Sequence, residues 1–327
     1  MAINQPKIGV IGVGHLGQHH VKHLARMKYV NFSGIYDKDH ARAEKIASTY
    51  KTKSFGSLGE LINECDGLSI VTPTADHYNT ALKCIKEGKH VFIEKPISDS
   101  VSSANSLLRA ADKNAVFIQV GHIERLNPAL LAIKDYKLDP KFIEIQRLAP
   151  YSSRGTDVPV VLDLMIHDID ILMYFVDSKV KSIAATGLSI MTDSVDIAHA
   201  RIRFENGTVG SLTSSRIAKD RVRKIKVFQK NMYITIDMLL TLSEVYRVTD
   251  KDKSNSKFTA QFDYKGTHRE IIYEKPKVKS KDPLQMELEN FTDSVRGNAS
   301  PIVTGKSGRD VLVVAERIHD LILEDLH

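Results

Sequence analysis

Long apolar runs are missing from this sequence. No stretch of its 327 residues approaches the roughly 18 to 20 consecutive apolar residues that a helix needs to cross a bilayer. That excludes a spanning helix and argues against a membrane partner. Cysteine is nearly absent. Only Cys65 and Cys84 occur, without metal-site spacing, so a disulfide scaffold and a structural metal module are both excluded, and a reducing cytoplasmic setting fits. Met1 to Lys7 holds no apolar signal core, and Ile8 to Val13 is short and broken by glycines. It reads as a strand, not an export signal. Internal repeats and low-complexity segments are also lacking.

What is present is the make-up of a globular protein, with 42% hydrophobic and 26% charged residues. The length is too great for one ordinary core and suits two domains. The formal charge is +6. One reading is a basic, solvated surface; the other is attraction of phosphate-bearing ligands. A nucleic-acid partner is not expected. The densest basic stretch, Arg216 to Lys230, alternates with Val222, Ile225 and Val227 as the exposed side of a strand does, and no nucleic-acid motif lies near it.

Along residues 1–121, short β-branched runs alternate with helical patterns. Strands are expected at Lys7–Ile11, Val30–Tyr36, Gly67–Val71, His90–Ile93 and Ala115–Val120. Helices are expected at His15–Arg26, Lys38–Thr49, Ala75–Glu87 and Ser100–Lys113, the third ended by Gly88 and the fourth capped by Ser98 or Asp99. This alternation implies an α/β domain with a doubly wound parallel sheet. Residues 122–327 change character. Helices are expected near Pro128–Asp135, Val160–Phe175, Leu284–Arg296 and Arg309–Leu326, with strands at Phe142–Leu148, Val180–Thr186, Asp196–Phe204, Thr208–Ser214, Arg223–Gln229 and Tyr233–Asp237. Asn206-Gly207 marks a hairpin, and Thr249–Lys257 reads as a mobile hairpin end. The second domain is therefore α+β, with a largely antiparallel sheet.

The most informative local motif is Gly12-Val13-Gly14-His15-Leu16-Gly17, which follows a predicted strand and opens a predicted helix. Gly12 permits a tight turn, Gly14 lets backbone approach a pyrophosphate, and Gly17 lets the helix lie close to the sheet. The amides at the helix start then favour phosphate charge. Asp37 ends the next strand 20 residues after Gly17 (37 − 17). A carboxylate there accepts from ribose hydroxyls and repels a 2′-phosphate, so NAD is favoured over NADP, although the adjacent Lys38 tempers that preference. Four histidines, His15, His19, His20 and His23, share the first helix. An exposed cluster beside the cofactor is a simpler reading than a metal site, and no metal is expected.

Two more segments carry chemistry. Glu94-Lys95-Pro96 follows the strand His90–Ile93, at the strand end where open parallel sheets bind ligands. Asp163 and His167 stand four apart on a predicted helix and so share a face. A carboxylate beside an imidazole fixes its tautomer and raises its basicity, as a general base requires. Taken alone, the lysine is equally a solvated surface group and the Asp/His pair a local hydrogen bond.

With these motifs in place, the whole chain resembles the Gfo/Idh/MocA oxidoreductase family. Its Glu-Lys-Pro signature falls on Glu94, Lys95 and Pro96; its Asp-x-x-x-His signature falls on Asp163 and His167; and its cofactor loop matches Thr72-Pro73-Thr74, with His77 following. The resemblance implies a Rossmann domain followed by an α+β domain with a large open sheet, and hydride transfer between NAD(P) and a sugar, cyclitol or related alcohol. It implies that Lys95 stabilises a developing alkoxide, that His167 takes the proton and that Asp163 orients it. Where the family usually has a glycine-bearing turn, this chain has Gln229-Lys230-Asn231.

Gly121-His122-Ile123-Glu124-Arg125-Leu126-Asn127-Pro128-Ala129 and the stretch from Arg154 to Asp170 are similar to a branch acting on the 3-hydroxyl of UDP-N-acetylglucosamine, with Leu126 replacing an expected phenylalanine. On that resemblance Arg125 and Arg154 are candidate phosphate contacts; a domain-joining salt bridge is the other reading of Arg125. A free cyclitol or monosaccharide substrate, an NAD-using glycosidase and a non-catalytic NAD-binding sensor are the competing functions. An open sheet face calls for a cover, so a homodimer or homotetramer through the second domain is expected.

Overall fold

The computed structural model describes residues 5–152, 158–250 and 258–326. It divides into two units, Met1–Ile123 with Lys281–Val313, and Glu124–Ser280 with Val314–His327. The sequence pattern assigns everything after Gly121 to one domain. In the structure, Lys281–Val313 groups with the first unit instead. Among the described residues no helix is long and apolar enough to span a membrane.

The first unit is built on five parallel strands, β1 (Lys7–Ile11), β2 (Asn31–Tyr36), β3 (Gly67–Ile70), β4 (His90–Glu94) and β5 (Ile118–Gly121), in the order β2-β1-β3-β4-β5. Strands β1 and β3 to β5 are almost continuously buried, as a sheet covered on both faces requires. The crossovers are α1 (Gly17–Leu24), α2 (His40–Tyr50), α3 (Leu58–Glu64), α4 (Thr74–Lys86) and α5 (Val101–Lys113). Asp39 and Ser57 cap α2 and α3 by accepting from Arg42 N and Glu60 N. The cap of α5 is Ser100, not Ser98 or Asp99, because the Ser100 hydroxyl reaches Ser103 N. Gly88, at φ +68°, follows α4 as expected. Strand order reverses between β1 and β3, and open parallel sheets bind ligands at the carboxyl ends of strands at such a point.

In the second unit, α6 is shorter than expected (Pro128–Leu131) and precedes β6 (Phe142–Leu148). The expected single helix Val160–Phe175 is in fact two pieces, a π-helical turn Val161–Met165 and then α7 (Ile166–Phe175). Next come β7 (Val180–Leu188), β8 (Ile197–Phe204), β9 (Val209–Ser215), β10 (Val222–Gln229), β11 (Met232–Asp237), β12 (Leu242–Asp250), β13 (Phe258–Tyr264) and β14 (Thr267–Glu274). They form a nine-stranded sheet in the order β13-β14-β12-β11-β10-β6-β9-β8-β7, antiparallel except for the parallel β6/β9 pair. Asn231, at φ +60°, takes the left-handed position of the β10–β11 turn, a role asparagine tolerates. Ile143, Ile145, Ile225, Val227, Ile234 and Ile236 are buried on one face of this sheet. Lys224, Lys226, Glu144 and Thr235 alternate with them, so the basic stretch is a strand face.

The chain then supplies α8 (Pro283–Val295) and α9 (Gly305–Leu326). Leu288 and Phe291 of α8 enter the first unit's core beside Ile8, Val10, Val21 and Phe92.

Candidate active site

A cavity of about 1040 Å³ lies at the carboxyl ends of β1 to β4. Gly12, Gly14, His15, Leu16, Asp37, Thr72, Pro73, His77, Glu94 and Lys95, all singled out from sequence, line it. Gly17 lies behind the lining. A Cβ on Gly17 would stand 2.0 Å from the Gly12 carbonyl oxygen, and Gly12 itself, at φ +86°, has room for no Cβ beside the Val71 carbonyl. At Gly14, by contrast, a Cβ would meet nothing within 4 Å. These are the turn, the close helix approach and the open backbone edge of a dinucleotide loop. Neither α1 nor α4 has a side-chain cap, so the N–H groups at both helix starts are not taken by their own N-cap side chains. Thr72 Oγ1 is buried without a hydrogen-bond partner. An orphaned donor on the wall, an open glycine edge and two uncapped helix starts fit a pyrophosphate-bearing nucleotide.

Asp37 holds the loop as well as facing the cavity. Its Oδ2 accepts from Val13 N at 2.8 Å and its Oδ1 from Asp39 N at 2.9 Å. Two neighbouring cations are paired: Arg42 with Asp39 (3.0 Å) and, more distantly, Asp37 (3.5 Å), and Lys38 with Asp76 (2.8 Å). Tyr36, Arg42 and Asp76 line the cavity without having been singled out from sequence, beside Lys38, whose bearing on cofactor choice the sequence does suggest. For Asp76 no sequence signal existed, since its significance lies in a partner 38 residues away.

At the other end, Glu94 acts on the backbone. Its Oε2 accepts from Lys95 N at 3.2 Å, and its Oε1 meets His20 Nε2 at 3.1 Å, while His20 Nδ1 meets Ser69 Oγ at 2.9 Å. Burial alone would raise the Glu94 carboxyl; His20, the Lys95 amide and the Lys95 charge outweigh it, and the carboxyl sits below its ordinary range. His20 is thus a buried prop rather than part of an exposed cluster, although His15 and His19 are exposed as expected. Among the described residues no group of three or more side chains is arranged to hold a metal ion. His77 is buried too. Its ring nitrogens face the carbonyls of Pro96 (2.8 Å) and Thr72 (2.9 Å), so it ties the loop after β3 to the one after β4. Burial lowers its pKa, and these two carbonyls only partly oppose that. A neutral ring donates to one of them. The Lys95–Pro96 peptide is cis.

In the second unit, Asp163 sits on the π-helical turn and His167 in the first turn of α7, so the pair does not have the plain i, i+4 geometry of one α-helix. π-helical turns recur at functional sites. Buried ion pairs fix α7 just beyond His167, at Asp168 and Asp170. Arg147 donates to Asp168 (Nε at 3.0 Å, Nη2 at 2.8 Å) and to Glu124 (2.9 Å), and Glu124 also accepts from Arg223 at 3.1 Å. Burial works against the Arg147 charge, but Asp168 and Glu124 hold it firmly protonated. Arg125 forks Asp170 through Nε at 2.7 Å and Nη2 at 2.6 Å, with its guanidinium over the Tyr174 ring. That salt bridge lies within the second unit; it does not join domains. Removing one partner of such a buried pair costs about 3–5 kcal/mol. Arg154 lies outside the described residues.

Comparisons with known proteins identify the family. The profile described as "Oxidoreductase family, NAD-binding Rossmann fold" matches residues 6–122, and that of the GFO/IDH/MocA C-terminal domain matches residues 145–234. The chain is 30% identical over 313 residues to UDP-N-acetylglucosamine 3-dehydrogenase of Acidithiobacillus ferrooxidans, covering 95% of this chain and 96% of that one. A solved structure of that enzyme superposes with a TM-score of 0.88 over 99% of both chains. Myo-inositol 2-dehydrogenase of Thermotoga maritima is 24% identical, covering 94% and 93%. With a nucleotide cavity of this build and a likeness that runs from end to end, the chain belongs to the Gfo/Idh/MocA family of oxidoreductases, nicotinamide-dependent dehydrogenases on an NAD-binding Rossmann fold.

Proposed function

We propose that this protein oxidises a ring hydroxyl, at C3, of a sugar nucleotide such as UDP-N-acetylglucosamine, with NAD as acceptor. The chemistry rests on one observation: Lys95 lines the same cavity as the glycine loop and the Asp37 carboxylate. The substrate rests on the end-to-end likeness to an enzyme named for that sugar nucleotide. A bound nicotinamide supplies the hydride acceptor. Lys95 donates to the reacting hydroxyl and stabilises its alkoxide character, with its backbone held by Glu94. His167 accepts the hydroxyl proton, and Asp163 orients the ring. Arg154 serves the phosphates, and Arg125 contributes through Nη1, since Nε and Nη2 are engaged by Asp170. NAD is preferred because Asp37 faces the cavity as an anion-repelling carboxylate. A free cyclitol is the second reading, favoured by the full-length likeness to an inositol dehydrogenase.

NADH formation across a panel of UDP-sugars and free sugars tests this. Turnover of UDP-N-acetylglucosamine, lost by about 100- to 1,000-fold in Lys95→Met, is expected; turnover of free inositol alone refutes the sugar-nucleotide reading. We also propose a homodimer or homotetramer through the outer sheet face. Phe142, Phe228, Tyr233, Tyr246 and Tyr273 form a row of neighbouring rings there across five adjacent strands, some stacked and some tilted, with centroids 4.7 to 5.7 Å apart. The two buried free thiols, Cys65 and Cys84, suit a reducing cytoplasm.

A further inference from the structure

The rim where β2 ends carries two cations that suit a 2′-phosphate by charge, yet Asp37 argues for NAD. The structure holds both in check. Arg42 is paired with Asp39 and approaches Asp37. Lys38 lies beside the ribose-binding aspartate, where a basic residue accommodates a 2′-phosphate in NADP enzymes, but its ammonium meets Asp76 Oδ1 at 2.8 Å. Asp76 stands on the other wall, in the first turn of α4. A carboxylate is favoured there by the helix dipole alone. However, Asp76 does not cap α4, whose N-cap has no side-chain hydrogen bond; its carboxylate reaches 38 residues back to Lys38 instead. Both residues line the cavity. Lys83 lies about two turns further along α4 and also lines it.

We infer that Asp76 is a cofactor-selecting residue: by pairing with Lys38 it cancels the charge of the lysine next to Asp37, which would otherwise draw a 2′-phosphate. The Lys38–Asp76 pair is neutral, so it offers a dianion no net attraction. Lys38 is three-quarters exposed, so the pair contributes little to folding. Its effect falls on ligand choice. The Asp76 carboxylate also holds the Lys38 ammonium above its ordinary pKa, consistent with a charged, engaged lysine. This inference rests on the NAD preference proposed above.

Calorimetric titration of the full chain with adenosine 2′,5′-bisphosphate and with 5′-AMP tests it without turnover. The readout is the ratio of the two affinities in wild type, Asp76→Asn and the Lys38→Ala/Asp76→Asn double variant. Wild type should favour 5′-AMP. Asp76→Asn should shift the ratio toward the bisphosphate by roughly tenfold, the scale of one charge-assisted hydrogen bond, and the double variant should lose that gain. An unchanged ratio in Asp76→Asn overturns the selector while leaving NAD preference intact. A gain that survives in the double variant overturns the role of Lys38. A wild type that binds the bisphosphate as tightly as 5′-AMP overturns the NAD preference, and the selector with it.

Discussion

At the scale of single residues, one carboxylate can organise a whole loop. Asp196 Oδ2 accepts from the amides of Ile190, Met191 and Thr192 at 2.6 to 3.0 Å, and Oδ1 accepts from Thr192 Oγ1 at 2.7 Å. Burial would raise this carboxyl, but the Met191 amide, the Thr192 hydroxyl and the other two amides bring it down to about 2 from an ordinary 3.8. A depressed value means that the stabilisation is complete above the ordinary pKa and disappears as pH falls toward about 2. Asp196→Asn should therefore lose about 2 kcal/mol at neutral pH, with the gap to wild type closing in acid; urea denaturation at both pH values measures it. A gap of constant size would show that the charge is immaterial. The residues of this scale were the hardest to read in advance. His20 shows only as one of four histidines on a helix, because what buries it, Ser69 and Glu94, comes from two other strands.

Elements were more legible. The glycine loop and the alternation of strands and helices state the parallel sheet directly, since such strands are buried on both sides and need no partner to be recognised. Strands β12 to β14 escaped. Their hairpin turns on Lys265 and Gly266, both at positive φ, without the Asn-Gly or Asp-Gly signal that marks such turns. The π-helical turn escaped too, because Val161–Met165 carries the same apolar pattern as the helix it joins. The glycine loop allows a pointed test. In Gly17→Ala the new methyl would lie 2.0 Å from the Gly12 carbonyl, so α1 must retreat from the loop. Stability should fall by about 1–3 kcal/mol, and affinity for NADH, followed by its fluorescence, should fall with it. Unaltered affinity would show that the helix approach is not needed for binding.

For the molecule as a whole, the outer face of the nine-stranded sheet is the surface on which the proposed assembly rests. Beside its aromatic row run paired charges, Lys226 with Glu144 and Lys224 with Asp237. If the proposed assembly forms through this face, Tyr233→Glu places a charge amid the aromatic row and should leave monomers in sedimentation velocity where wild type sediments as a dimer or tetramer, with NADH binding retained. An unchanged sedimentation coefficient would overturn assembly through this face. The other large-scale feature is the late arrival of α8. On a ribosome, β1 to β5 emerge early, but Leu288 and Phe291, which seal the core around Ile8 and Phe92, follow only after roughly 160 further residues (283 − 123) have been synthesised. Until then the nascent sheet has an uncovered apolar side, a natural target for chaperones. A fragment ending at residue 123 should share that vulnerability permanently, so the nucleotide-binding half is not a portable module.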